Sequence, residues 1–285
     1  MSVGRVAGIF RYPVKSMRGE RLERAPLGER GVVGDRAWAV RDEINGGIRG
    51  AKKLARLMEC SARYTQEPPT EGSGAAEITL PDGAKLSSGD ADAAARVSAA
   101  IGHEVTLWPL VPASQLEHYR RGAPSHADME TELRSIFARE ADEPLPDLGL
   151  FPPEILQYES PPGTYFDAFP LLVVTDRSLA SMQRRAPGSR FDVRRFRPNL
   201  LLEAEGDDDF PEQAWHDRKL QVGGATLRVT VECPRCVMVT HAQDDLPKDP
   251  KVMRALVREA GGNLGVYARV ETPGPVAVGD AAQLV

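Results

Sequence analysis

Short alternating or β-branched runs, cut at close intervals by glycine and proline, set the pattern of this chain. VAGIF followed by YPV predicts a first strand ending at Pro13, and RAWAV, the turn DEINGG and IRGAKKL predict a hairpin. EITL-PDG-AKL predicts another hairpin, because Asp-Gly supplies the positive φ that its turn needs. The Ala-rich stretch from Asp90 to Ile101 opens on an acidic cap and stops at Gly102, which predicts a helix, and EVTLWPL returns to strand. LLVVT reads as a buried strand, DRSLASMQRR as a helix capped near Thr175 or Asp176, and NLLLE as a strand. The strongest hairpin is KLQV-GG-ATLRVTVE, with Gly223 and Gly224 at a two-residue turn. DPKVMRALVREAGG has an Asp cap, Pro at the first helical position and Gly past the end, so it predicts a helix from Pro250 to Ala260. LGVYARV and VAVGDAAQLV follow as strands. From about Val111 to Pro162 prolines and charges replace this periodicity, apart from one helix in METELRSIFARE. That stretch reads as a long connection between two lobes.

The elements add up to a mainly β fold of the α+β class, and 26 Gly with 23 Pro suit strands and turns better than a helical bundle. A chain of 285 residues, 41% hydrophobic, has room for one large core or two ordinary ones. The net charge is −5 and no basic run reaches five or six residues, which argues against a broad surface for nucleic acid or anionic lipid. The N-terminus has neither the apolar core of a signal peptide nor a membrane span, so a cytoplasmic protein without a membrane association is expected. Three cysteines cannot build a disulfide framework, and a reducing compartment leaves thiols free for metal or catalysis.

Two of the three lie in VECPRCVMVTH, residues 231 to 241, where the strongest hairpin ends. A redox pair wants a helix N-terminus, and the β-branched VMVT that follows is poor in helix formers. Zinc wants four ligands, and only Cys60 and five scattered histidines remain. Two readings stay open: Cys233 and Cys236 are packed thiols, or one is a thiolate, favoured by the neighbouring Arg235, on a soft metal whose other ligands come from a cofactor. His241 reads either as a proton donor or as a structural residue.

YPVKS (Tyr12 to Ser16), GDRAW (Gly34 to Trp38), RFRPN (Arg195 to Asn199), CPRC (Cys233 to Cys236) and GVY (Gly265 to Tyr267) together resemble the molybdenum cofactor sulfurase C-terminal (MOSC) family. The resemblance is to the branch with an N-terminal MOSC β-barrel region, which includes the amidoxime-reducing components and bacterial relatives. It implies a β-barrel-like MOSC core in residues 126–285, a smaller N-terminal β-rich lobe in residues 1–125, and a few peripheral helices. It also implies molybdopterin-bound molybdenum with one protein thiolate, from the second cysteine of the segment, here Cys236, with Cys233 as a packed neighbour. Lys15, Ser16 and Arg36 from the first lobe would meet Asp167, Arg197, Asn199 and Arg235 from the second around the phosphate and pterin, and Tyr267 would lie near the metal or pterin. Ala168 and Phe169 lack hydroxyls that some relatives have there.

The activity so implied is a molybdenum-dependent oxidoreductase that reduces N-hydroxylated small molecules by oxygen-atom transfer. Electrons would come from a separate flavoprotein or ferredoxin, because three cysteines cannot hold a plant-type cluster of the chain's own. Alternatives are a sulfur carrier working through a Cys236 persulfide and a non-catalytic cofactor-binding module. A pyridoxal phosphate label attaches only at family level. Every site residue also has a plain rival: Lys15 and Ser16 as a solvated turn, Arg36 stacked on Trp38, Arg194, Arg195 and Arg197 as an exposed face, and Tyr267 as core.

Overall fold

The computed structural model describes residues 1–285. Seven strands run side by side in the order Leu200–Ala204, Leu171–Thr175, Asn263–Thr272, Ala225–Pro234, Lys219–Val222, Ala281–Leu284 and Ser2–Arg11, and the last pairs with the first to close a barrel. Closure leaves these strands no free edge, so a sheet that is apolar on its inner face needs no second sheet to cover it. Alternation does the rest. Residues of Ala225–Pro234 are buried at every second position, which puts Ala225, Leu227 and Val229 inside with Val6, Ile9, Leu171, Val173, Leu200 and Val266. One pairing is parallel, Leu171–Thr175 with Leu200–Ala204, and it needs a crossover. The helix Asp176–Arg185 supplies it, capped by the Thr175 side chain, which accepts from the Ser178 N–H at 3.2 Å. This helix and Lys251–Ala260 cover the outside of the barrel through Met182, Val252, Met253 and Leu256, with Phe196 from the connecting segment packed between them. Gly265 sits inside a barrel strand at φ 79°, and a Cβ there would come 2.7 Å from the Val173 carbonyl oxygen.

A second core gathers Trp38, Val40, Leu57, Met58, Ile78, Val97 and Val105. Around it lie two small sheets, Val105–Pro109 with Trp38–Asp42 and Ile48–Arg49, and Ser61–Arg63 with Glu77–Thr79 and Lys85–Ser87, together with the helix Ala93–Ile101. The two halves of the chain interleave. The barrel takes Ser2–Arg11 from the N-terminal half, and Gly274–Ala277 near the C-terminus pairs with Arg24–Gly28. No helix is long and apolar enough to cross a membrane.

Two local expectations change. The stretch from 111 to 162 is packed at both ends and is not a free spacer: Val111, Tyr119 and Tyr158 form a small core with Tyr165, Ala39 and Ile48. Its helix Met129–Phe137 is capped by Asp128, which accepts from the Thr131 N–H at 2.7 Å. Charged and proline-rich composition hid this because the packing residues are tyrosines far apart in sequence. VMVT, read as poor in helix formers, nevertheless closes into a helical turn. It forms the 3₁₀ turn Val237–Thr240, because Met238 and Val239 are drawn into different hydrophobic clusters and that packing outweighs β propensity.

Candidate functional site

The site is built by interlocking three segments that are remote in sequence. Asp35 is buried, and its carboxylate accepts from the Tyr12 N–H at 2.7 Å, from the Asn199 amide at 3.0 Å and from the Arg36 guanidinium. The Tyr12 hydroxyl in turn donates to the Pro198 carbonyl at 3.1 Å. Tyr12 therefore holds YPVKS, GDRAW and RFRPN together, and the guanidinium carbons of Arg36 and Arg197 stand 5.1 and 4.1 Å from its ring centroid. Burial pushes the Tyr12 phenol up to about 12, against the lowering effect of Arg197 and Arg36, so the ring presents a neutral face to both cations. Sequence reasoning named Arg36 and Arg197 and missed Tyr12 and Asp35, which hold them.

Three of the chain's six non-glycine residues with positive φ are Ser16 at 68°, Arg36 at 49° and Arg197 at 54°. Each is an expected site residue, and left-handed backbone is a conformation that ordinary side chains adopt only where surroundings enforce it.

The cysteines part company. Cys233 ends the strand Ala225–Pro234, is 2% exposed and packs among Phe196, Val252 and Leu256 under the outer helices. Burial raises its pKa, with Arg235 acting the other way. Cys236 lies beyond Pro234 on the other side, half-buried against the N-terminal core beside Met238. The Arg235 guanidinium, expected from sequence to favour a thiolate, acts on Cys233, donating to its sulfur at 2.9 Å and to the Phe196 carbonyl at 2.6 Å. Its N–H donates to the Gly262 carbonyl at 2.8 Å, so it braces the loop on which Cys236 sits.

A cleft of about 660 Å³ lies where these elements meet, and all nine expected residues line it: Lys15, Ser16, Arg36, Asp167, Arg197, Asn199, Arg235, Cys236 and Tyr267. Their commitments differ. The Asn199 amide is already used, giving to Asp35 and to the Phe10 carbonyl and accepting from the Leu172 N–H, so it positions the segment and is not free to grip a ligand. The Ser16 hydroxyl oxygen accepts from the Ala51 N–H at 2.9 Å, which leaves its own proton to donate. Lys15 is buried and donates to Asp167 at 2.7 Å and to the Tyr165 carbonyl at 2.8 Å; burial lowers its pKa, and Asp167 opposes that. Lys52 meets the other Asp167 oxygen at 3.1 Å. Burial acts to raise the Asp167 carboxyl, but Lys15 and Lys52 win and hold it well below the usual carboxylate range. Tyr267 packs on Phe169 and Phe151, with centroids 5.2 and 6.3 Å away, and burial drives its hydroxyl well above the ordinary phenol value.

Arg197 is the exception to this satisfaction. It is 7% exposed, and its Nη2 has no hydrogen-bond partner; the Nε of Arg235 is likewise buried and unpartnered. A buried guanidinium without an acceptor is costly, so these atoms fit an acceptor-rich anion such as a phosphorylated pterin. Lys52 escaped sequence reasoning; the signal lay in AKKL, where the expected strand stops after Arg49 and turns two lysines toward the cleft. The rival reading of Arg194, Arg195 and Arg197 as a solvated face fails at Arg195, which is fully buried and donates to the carbonyls of Arg190, Val239, His241 and Pro247. His241 bonds the Ala51 carbonyl through Nε2 at 2.9 Å and is absent from the cleft lining. No three His, Cys, Asp or Glu side chains converge anywhere as a metal site.

Fold and cleft define a small closed barrel with a β lobe braced against it and a cationic cavity at the junction. A family model described as MOSC domain matches residues 162–283, and one described as MOSC N-terminal beta barrel domain matches residues 3–106. The chain belongs to the MOSC family. It is 26% identical over 300 residues to mitochondrial amidoxime reducing component 2 of Homo sapiens, covering 98% of this chain and 82% of that protein. It is also 35% identical over 75 residues to the molybdenum cofactor sulfurase of Bombyx mori, covering 26% of this chain and 9% of that protein. Among solved structures, the YUAD protein of Bacillus subtilis aligns over 98% of this chain and 94% of its own, with 12% identity and a TM-score of 0.44.

Proposed function

We propose that this protein is a molybdenum-cofactor-dependent oxidoreductase that reduces N-hydroxylated small molecules, with Cys236 as the protein's ligand to the metal. The observation that carries the reading is the unpartnered Arg197 guanidinium, buried in the one cleft that also gathers Lys15, Lys52, Arg36 and Cys236. Full-length similarity to an amidoxime reducing component supports it. When bound, the molybdenum of the cofactor supplies two-electron oxygen-atom exchange. The chain's own residues bind and orient. Arg197 and Arg36 offer fixed donors to phosphate or pterin edges, Ser16 offers one proton, and the Lys15–Asp167–Lys52 cluster holds two cations at the cleft wall. Because no cluster of ligating side chains surrounds Cys236, a metal held there would need its remaining ligands from the cofactor. Arg235 ties the Cys236 loop to Phe196 and Gly262, fixing where the thiol points.

The overall reaction is R–C(NH2)=NOH + 2e⁻ + 2H⁺ → R–C(NH2)=NH + H2O, with both electrons from a separate flavoprotein or ferredoxin, in a cytoplasmic setting. The family-level pyridoxal phosphate label has no part in it. The test is molybdenum content of purified variants. Cys236→Ser loses the metal and keeps its fold, while Cys233→Ser, altered under the outer helices, keeps the metal. Equal molybdenum in both refutes the ligand assignment. A persulfide mass on Cys236 in molybdenum-free protein would replace this reading with sulfur carriage, and a loaded protein inert toward N-hydroxy compounds with every reductant would replace it with cofactor binding alone.

A further inference from the structure

The cleft has two unlike halves. One is the cationic floor already described. The other is a wall from the segment 129–156, where Leu133, Ile136, Phe137, Phe151, Ile155 and Leu156 face the cavity. None of the six belongs to any of the protein's four hydrophobic clusters, and Leu156 remains 65% exposed. Apolar side chains that serve no core and line a cavity contiguously mark a binding surface. The wall is also held in place. Glu132 pairs with Lys53 of the N-terminal lobe and accepts from the N–H groups of Ser125 and His126 at 3.1 Å each. At the other end of the helix, buried Arg139 donates to the Phe137 carbonyl at 2.7 Å, and Arg254 of the outer helix pairs with Glu143. Phe151 joins the wall to the rest of the cleft, since its ring meets Phe169 at 6.1 Å and Tyr267 at 6.3 Å, and both line the same cavity as Cys236.

We infer that this wall is a substrate-body subsite, and that the preferred substrates are N-hydroxylated molecules with an alkyl or aryl body of several carbons. The inference rests on the proposed reaction for the head group and on the wall alone for the body. A small oxyanion would leave the wall in water, whereas an apolar body removes it from water, and the gain grows with each carbon. A neutral N-hydroxy head also avoids placing charge against apolar side chains.

The test is calorimetric binding to the protein as isolated, without reductant so that no turnover occurs, using acetamidoxime, butanamidoxime, hexanamidoxime, octanamidoxime and benzamidoxime. Affinity rises about fourfold for each methylene until the wall is covered. Ile136→Asp and Leu156→Asp weaken octanamidoxime at least tenfold and leave acetamidoxime within twofold. A flat series, or variants that act equally on every chain length, overturns the inference. So does sedimentation of the protein with phosphatidylcholine vesicles alongside a flat series, which would make the wall a lipid-facing surface. Molybdenum is measured in the same samples. A flat series in metal-loaded protein removes the subsite and leaves the proposed reaction intact, while a steep series in protein that never acquires molybdenum upholds the subsite and removes the reaction.

Discussion

Arg195 and Arg197 are two buried arginines two residues apart, and the structure assigns them opposite effects on stability. The Arg197 guanidinium has its pKa lowered from the ordinary arginine value to about 10, chiefly by burial, with Tyr12 opposing. That corresponds to about 3 kcal/mol against the charged form. The folded value lies below the unfolded one, so the penalty is fully present at neutral pH and is relieved only as pH rises through about 10. The offsetting attraction to the Tyr12 ring at 4.1 Å is worth about 1–2 kcal/mol when desolvated. Arg197→Met keeps the bulk and removes the charge. The positive φ is unfavourable for either residue and cancels. Cofactor-free Arg197→Met is therefore expected to be more stable than wild type by about 1–2 kcal/mol, roughly 3 °C in Tm for a chain of this size, while losing cofactor retention. Arg195→Met is the control. It removes four bonds to backbone carbonyls, between 2.8 and 3.1 Å, and strands those acceptors, at a cost of about 3–5 kcal/mol. Both variants and wild type are expressed in a host that makes no molybdopterin, melted at pH 7, and compared with metal content from a competent host. If cofactor-free Arg197→Met melts at or below wild type, the argument that this guanidinium awaits an external acceptor is wrong.

The Asp167 carboxyl, held low by Lys15 and Lys52, contributes stability that is present above the ordinary carboxylate range and lost as pH falls through its depressed folded value. Asp167→Asn is thus expected to lower Tm by a constant amount from pH 8 to 5, with the gap closing only below about pH 4; a gap that closes near neutrality would contradict the pairing. Gly265→Ala forces a Cβ toward the Val173 carbonyl at positive φ and is expected to cost about 2–3 kcal/mol in urea unfolding, with Gly261→Ala, where a Cβ would meet nothing, costing less.

The barrel strands were legible in two ways: ATLRVTVE alternates because closure buries one face, and LLVVT, buried at all five positions between barrel and outer helices, reads as a continuous apolar run. Helix ends were legible where a side-chain cap or a glycine marks them, as at Thr175 and Gly102. The cleft wall was not. Leu133 and Ile136 do recur at helix spacing, and that helix was expected, but periodicity does not tell a face that lines a cavity from one that packs a core, and the salt bridges that seat the wall join positions 79 and 111 residues apart.

The same reasoning separates what a motif can disclose from what it cannot. YPVKS, GDRAW and RFRPN announced their cations, but the resemblance could not say which polar groups remain free. Asn199 and Arg197 sit two residues apart in one motif, and the fold gives the first three partners and leaves the second with an unbonded buried nitrogen. Hydrogen-bond satisfaction is a property of tertiary assembly, since the acceptors that quiet Asn199 come from Phe10, Asp35 and Leu172. A single burial pattern along RFRPN thus conceals an arginine bonded to four carbonyls, an arginine with an unpartnered nitrogen and a fully engaged amide. Only the distribution of partners distinguishes them, and that distribution points to Arg197 as the group whose acceptor must arrive from outside the chain.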